Sequence, residues 1–153
     1  MLVSRGCSIS EMSLRRTTKL RFAAQNITYF TYSREAILEI LEVNNIGEDD
    51  EIILPNYLCS TVIESFLSVT KKILFYDIDS HLMYKQSDIR KLLTDKTKLI
   101  MFVDYFGVET QLESSLQGQL ENQNIIVVKD SAHAFLSLAS RSFQKDYNYD
   151  YLI

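Results

Sequence analysis

The segment KDSAHAF, residues 129 to 135, sets an acid and a histidine three residues apart just after the β-branched run IIVV. That run reads as a buried strand, so Asp130 and His133 fall at its end, where a carboxylate and an imidazole can act on one ligand or share a proton. Both residues also have plain structural uses. A carboxylate just past a strand often caps a helix, and a single histidine in an apolar stretch often only completes the packing. On this fragment alone the two readings stand side by side.

The elements that must position these residues can be read from periodicity. Ser33 can cap a helix in which Ala36, Ile37, Ile40 and Leu41 form one apolar stripe while Glu35, Glu39 and Glu42 face water. Asn45 to Gly47 end it. Strands are expected over about 51–54, 72–77, 98–104 and 125–129, and helices starting near Ser33, Cys59, Ser87 and Thr110. The strand runs are apolar at consecutive positions, as in strands buried on both faces, so the expected fold is α/β: a mainly parallel sheet with flanking helices. A βαβ succession winds right-handed and gathers its chemistry beyond the carboxyl ends of the strands. Pro55 to Cys59, Asp77 to Asp79, Asp104 to Gly107 and Asp130 to His133 fall at those ends.

Composition limits the function classes. With 153 residues, 46% of them hydrophobic, the chain can bury a core of ordinary single-domain size. A net charge of −4 gives no general basic patch for nucleic acid, although Arg5, Arg15, Arg16, Lys19 and Arg21 make residues 1–28 a locally basic N-terminal extension. No apolar run is long enough for a membrane span or a signal core, so the expectation is a cytoplasmic protein that binds neither nucleic acid nor membrane. Cys7 and Cys59 lack metal-site spacing, and both read as free thiols with no metal. The terminal YNYDYLI reads as the first part of one more buried strand, which leads us to expect the N-terminal portion of a longer protein.

Five segments carry a resemblance. YSREAILEIL, GEDDEIILPNYLCSTVIESF, ILFYDID, DKTKLIMFVDYFG and VVKDSAHAF stand in the order and near the spacing of the large domain of the DegT/StrS-type sugar aminotransferases, fold-type I enzymes dependent on pyridoxal 5′-phosphate. The likeness runs from about Thr31 to Phe135, and it makes residues 29–153 an incomplete, apparently truncated large domain. It implies that Asp130 pairs with the protonated pyridine nitrogen, which lets the ring accept the electrons released when the substrate loses its α-proton. It also implies that His133 lies near the cofactor's phenolic oxygen, which makes Asp130 and His133 the catalytic candidates.

The remaining cofactor contacts are implied in the same way. Ser33 and Arg34 match a helix start that holds the phosphate, since the first N–H groups of a helix are unpaired and its dipole is positive there. An ordinary Ser N-cap is the structural alternative. Tyr57 and Cys59 match the loop that faces the pyridine ring, and the alternative is that both are core residues. The chain departs from the family pattern just before Arg34, where Gly is usual and this chain has Ser33 preceded by Tyr32, at Asp104, where His is common, and at Lys129, where an acid is usual.

None of the lysines in the chain matches the family's cofactor-binding lysine, which lies beyond Ile153, so the fragment alone is expected to be inactive. The resemblance implies a homodimer that takes a small-molecule amino donor, glutamate by expectation, and a keto-sugar or related ketone acceptor. Two other classes compete. One is a catalytically degenerate binding or dimerisation subunit of the same fold. The other is a phosphoacceptor signalling module, whose ingredients Asp77, Asp79, Asp104 and Lys129 imitate, although Asp77 and Asp104 lie on successive strands where that module needs a further strand between.

Overall fold

Consecutive apolar positions produce the expected layers. A computed structural model describes residues 2–4, 27–134 and 149–153; Cys7, the basic residues between Arg5 and Arg21, and Phe135 lie outside them. The described strands are β1 (Leu2–Ser4), β2 (Ile27–Thr28), β3 (Glu51–Pro55), β4 (Ile73–Tyr76), β5 (Thr97–Val103), β6 (Ile126–Asp130) and β7 (Tyr151–Leu152). They form one sheet in the order β2-β1-β7-β6-β5-β3-β4. β4, β3, β5, β6 and β7 run parallel, and β1 pairs antiparallel with both β7 and β2.

Among the described residues four α-helices cover the sheet: α1 (Ser33–Val43), α2 (Ser60–Leu67), α3 (Gln86–Leu92) and α4 (Ser114–Asn122). Because side chains alternate across a strand, each parallel strand feeds two cores. Ile52 and Leu54 of β3, Leu99 and Met101 of β5 and Val128 of β6 pack with Ile37, Ile40 and Leu41 of α1 and Phe66 of α2. On the opposite face Ile53, Ile100, Phe102 and Val127 pack with Ile89 of α3 and with Leu116 and Leu120 of α4. Double-sided burial explains why β3 and β5 read as unbroken apolar runs.

All four expected strands are present to within two residues at either end, and the closing YNYDYLI contributes β7 beside β6. The helix expected near Ser33 begins there, but one cap and one helix start differ from expectation. Ser33 is the first residue of α1 and Tyr32 occupies the capping position, where the Glu35 carboxylate reaches back to the Thr31 and Tyr32 N–H groups at 3.0 and 3.3 Å. Near Thr110 no helix begins; α4 starts at Ser114. The cause is local: Thr110 folds back on β5, its N–H donating to Asp104 Oδ1 at 2.7 Å and its hydroxyl to the Val103 carbonyl at 2.7 Å.

The chain leaves β3 outward to β4, then crosses back to β5 on the other side of β3. The connections diverge between the carboxyl ends of β3 and β5, where an open parallel sheet forms its crevice. This order also disposes of the phosphoacceptor reading. Asp77 follows the outer strand β4, separated from Asp104 by β3, and Lys129 is already paired with Asp104 at 3.3 Å.

Phe102 is 1% exposed and lies against the rings of Tyr76 and Tyr84, with centroids 5.9 and 5.3 Å away. Phe102→Ala should cost about 3–5 kcal/mol of stability, whereas Leu38→Ala on the outer side of α1 should stay within about 0.5 kcal/mol. Urea denaturation of the two variants checks the contrast.

Candidate functional site

Strand direction decides where α1 begins. Its C-terminus lies at the amino edge of the sheet, where Asn44 caps the Ile40 carbonyl at 2.7 Å and donates to the Tyr151 hydroxyl at 2.9 Å. At 1.5 Å per residue its 11 residues span about 16 Å, close to the length of a five-residue strand. The Ser33 and Arg34 end therefore lies level with the carboxyl edge. The α2 helix packs beside α1 on the same sheet face, and Tyr57 and Cys59 lie on the loop that enters it.

Asp130 belongs to this face too. Alternation along β6 puts it on the side of Val128, which packs with α1 and α2, while Lys129 points to the α3 and α4 side. Three of the expected groups thus share one face and one edge: the α1 start, the Tyr57 to Cys59 loop and Asp130.

The Asp130 carboxylate accepts the Ala132 N–H at 2.9 Å, an Asx turn. Among the described residues no lysine or arginine pairs with it. Burial raises its pKa above the ordinary carboxylate value, the neighbouring Asp104 adds to the rise, and the Ala132 N–H and His133 oppose it. His133 is exposed and not a core residue, and its ring stacks on Phe106 at 5.4 Å and 20°.

Tyr57 is 53% exposed and Cys59 is exposed as well, which rules out the core alternative for both. Cys59 provides the capping position of α2, and its thiol lies 3.1 Å from the Thr61 hydroxyl, a contact that lowers the thiol pKa. At the α1 start the Arg34 guanidinium lies over the exposed Tyr32 ring at 4.3 Å.

Periodicity did not reveal Tyr105, Phe106 and Ser131. Tyr105 donates its hydroxyl to the Tyr57 carbonyl at 2.5 Å and holds the Tyr57 ring at 5.4 Å, tying the β3 exit to the β5 exit. Burial and then the Asp130 charge raise its pKa. Phe106 takes a left-handed backbone at φ 51° beside Gly107 at φ 86°, a turn that leaves its ring 67% exposed over His133. Only Gly107 announced that turn in the sequence.

Residues 24–141 match the model of the DegT/DnrJ/EryC1/StrS aminotransferase family. The chain belongs to this family. It is 29% identical over 131 residues to the UDP-4-amino-4-deoxy-L-arabinose--oxoglutarate aminotransferase of Shewanella sediminis, a match covering 85% of this chain and 32% of that protein. The GDP-perosamine synthase of Escherichia coli O157:H7 is 30% identical over 122 residues, 75% of this chain and 33% of the relative. Among solved structures, the aminotransferase from Psychrobacter cryohalolentis superposes with a TM-score of 0.59 at 26% identity, covering 66% of this chain and 26% of that one. The chain spans about a third of the length of these curated relatives. The family's aminotransferases depend on pyridoxal phosphate, and similar folds have been solved in PLP and PMP forms.

A carboxyl pKa raised by folding has a definite sign. The folded state holds the Asp130 proton more tightly than the unfolded chain, so Asp130 costs stability once pH rises through its folded pKa and costs none below its unfolded value. Asp130→Asn should therefore stabilise the protein at neutral pH, with the gain vanishing on acidification below the ordinary carboxylate range. Denaturation midpoints measured across that pH range check it.

Proposed function

We propose that the chain is the amino-terminal, cofactor-binding portion of a pyridoxal-phosphate-dependent aminotransferase that moves an amino group from glutamate to a nucleotide-linked keto sugar or related ketone. One observation carries this reading: a half-buried carboxylate at the carboxyl edge of β6, without a cationic partner among the described residues, on the same face as a helix start. A ring cation would complete it. The names of the two curated relatives, both built on nucleotide-linked sugars, support the acceptor class, and the oxoglutarate in one of them supports glutamate as donor.

The residues fit the cofactor unevenly. Asp130 fits best, because a protonated pyridine nitrogen would neutralise it in place. The Ser33 and Arg34 N–H groups and the Arg34 guanidinium suit a phosphate, whereas Glu35 already occupies the Thr31 and Tyr32 N–H groups beside them. Tyr57 and Cys59 would border the ring, with Tyr105 fixing their loop, and His133 would approach from the β6 exit.

When bound, pyridoxal phosphate supplies an electron sink for the carbanion left by α-proton loss. Asp130 keeps the ring nitrogen protonated, and its burial strengthens that ion pair by excluding water. The helix start orients the phosphate through fixed N–H donors. A homodimer and a cytoplasmic location belong to the same reading; among the described residues no helix is long and apolar enough to cross a membrane.

Asp130→Asn keeps the shape and removes the charge. In the complete protein this variant should still bind the cofactor while single-turnover transamination from glutamate falls by orders of magnitude, the loss appearing in the catalytic rate more than in substrate binding. Equal rates in variant and wild type would defeat the role given to Asp130. A wild type that never binds the cofactor would favour a non-catalytic subunit of the same fold.

A further inference from the structure

The residues 129 to 131 that surround the candidate carboxylate share one partner, Asp104. Its Oδ1 lies 3.3 Å from the Lys129 ammonium, its backbone N–H donates to the Asp130 carbonyl at 2.8 Å, and its Oδ2 accepts the Ser131 hydroxyl at 2.6 Å. The same Oδ1 accepts the Thr110 N–H at 2.7 Å, so the carboxylate is satisfied from both strand exits. Asp104 and Ser131 are 1% and 2% exposed, and the Lys129 side chain is 9% exposed. Buried, fully bonded polar groups of this kind hold one geometry, because any displacement strands a charge away from water.

We infer that Asp104 is a positioning residue for Asp130: through Lys129 and Ser131 it fixes the end of β6, so that the Asp130 side chain is held toward the α1 and α2 face. Asp104 itself points to the other face, with Lys129, and acts through the backbone without touching a ligand. Just past β5, the Asp104 carboxylate thus meets the Lys129 ammonium of β6 across the two adjacent strand exits. Glu109 completes the setting, 3.5 Å from the Lys129 ammonium. The ionisable groups electrostatically coupled to Asp130 are His133, Tyr105 and, from the other face, Asp104. The functional meaning of this clamp rests on the cofactor reading, although the clamp can be tested without it.

Ser131→Ala is the diagnostic variant, since it cuts the link and leaves the Asp104 charge in place; Asp104→Asn is the second. Two measurements need no cofactor: hydrogen exchange at the Ala132 amide, which is bonded to the Asp130 side chain, and carbon-13 titration of the Asp130 carboxyl. If the clamp holds Asp130, Ser131→Ala should speed Ala132 exchange on the order of tenfold, the loss expected from one hydrogen bond to a charged group, while the Ile53 amide in β3 exchanges as before. The Asp130 midpoint should fall toward the ordinary carboxylate value as water reaches it. A merely structural role would lower the unfolding midpoint and leave the Asp130 titration where it was.

In a third measurement pyridoxamine 5′-phosphate, which carries its own amine and needs no lysine, is titrated into wild type and variants, with weaker binding expected in both variants. Unchanged Ala132 exchange and Asp130 titration in Ser131→Ala overturn the positioning role, whatever the cofactor does. Changed exchange and titration together with no pyridoxamine phosphate binding by wild type uphold the clamp and overturn only the cofactor reading.

Discussion

Burial of β3, β5 and β6 on both faces is the constraint from which the rest follows. A parallel strand covered on two sides needs helices on both, and the returns through α2, α3 and α4 bring β3, β4, β5 and β6 into the sheet in the same direction. The exits of these strands then gather at one edge, and the crossing from β4 over β3 to β5 parts two of them. The groups with chemical potential at that edge, Tyr57, Tyr105 and Asp130, are there because Ile52 to Leu54, Leu99 to Phe102 and Val127 to Val128 are not exposed.

Holding a carboxylate at such an edge works against stability. Asp130 loses part of its hydration and gains one N–H and a nearby imidazole, too little to bring its pKa down to the ordinary value. What keeps it in place is the neighbouring Asp104, which has three donors and lies almost wholly out of water. One acid is satisfied by the protein and the other is left for a ligand. Sites that bind charged groups commonly show this division between a settled support and an unsettled contact.

The sequence disclosed the layers and most of the edge. Double-sided burial makes apolar runs that need no partner to be recognised, so the parallel strands were legible, and Pro55 and Gly107 marked two of their exits. The candidate site could be named only where a segment resembled a known pattern, as at Ser33, Arg34, Tyr57, Cys59, Asp130 and His133. Contacts between residues far apart in the chain left no local trace. Asp104 and Lys129 read as two unrelated departures until β5 and β6 lay side by side. Thr110 looked like a helix start because its bond to Asp104 spans a turn that periodicity does not register, and the Tyr105 bond to the Tyr57 carbonyl spans 48 residues.

The central claim is that the Asp130 carboxylate meets a pyridine nitrogen and keeps it protonated. The most direct measurement is the nitrogen-15 chemical shift of ring-labelled pyridoxamine 5′-phosphate bound to the protein, followed as pH is raised. The account predicts a ring nitrogen that stays protonated to a higher pH than in free solution, and that loses this protection in Asp130→Asn with the cofactor still bound. A bound ring nitrogen that titrates as it does in water, alike in wild type and Asp130→Asn, would contradict it.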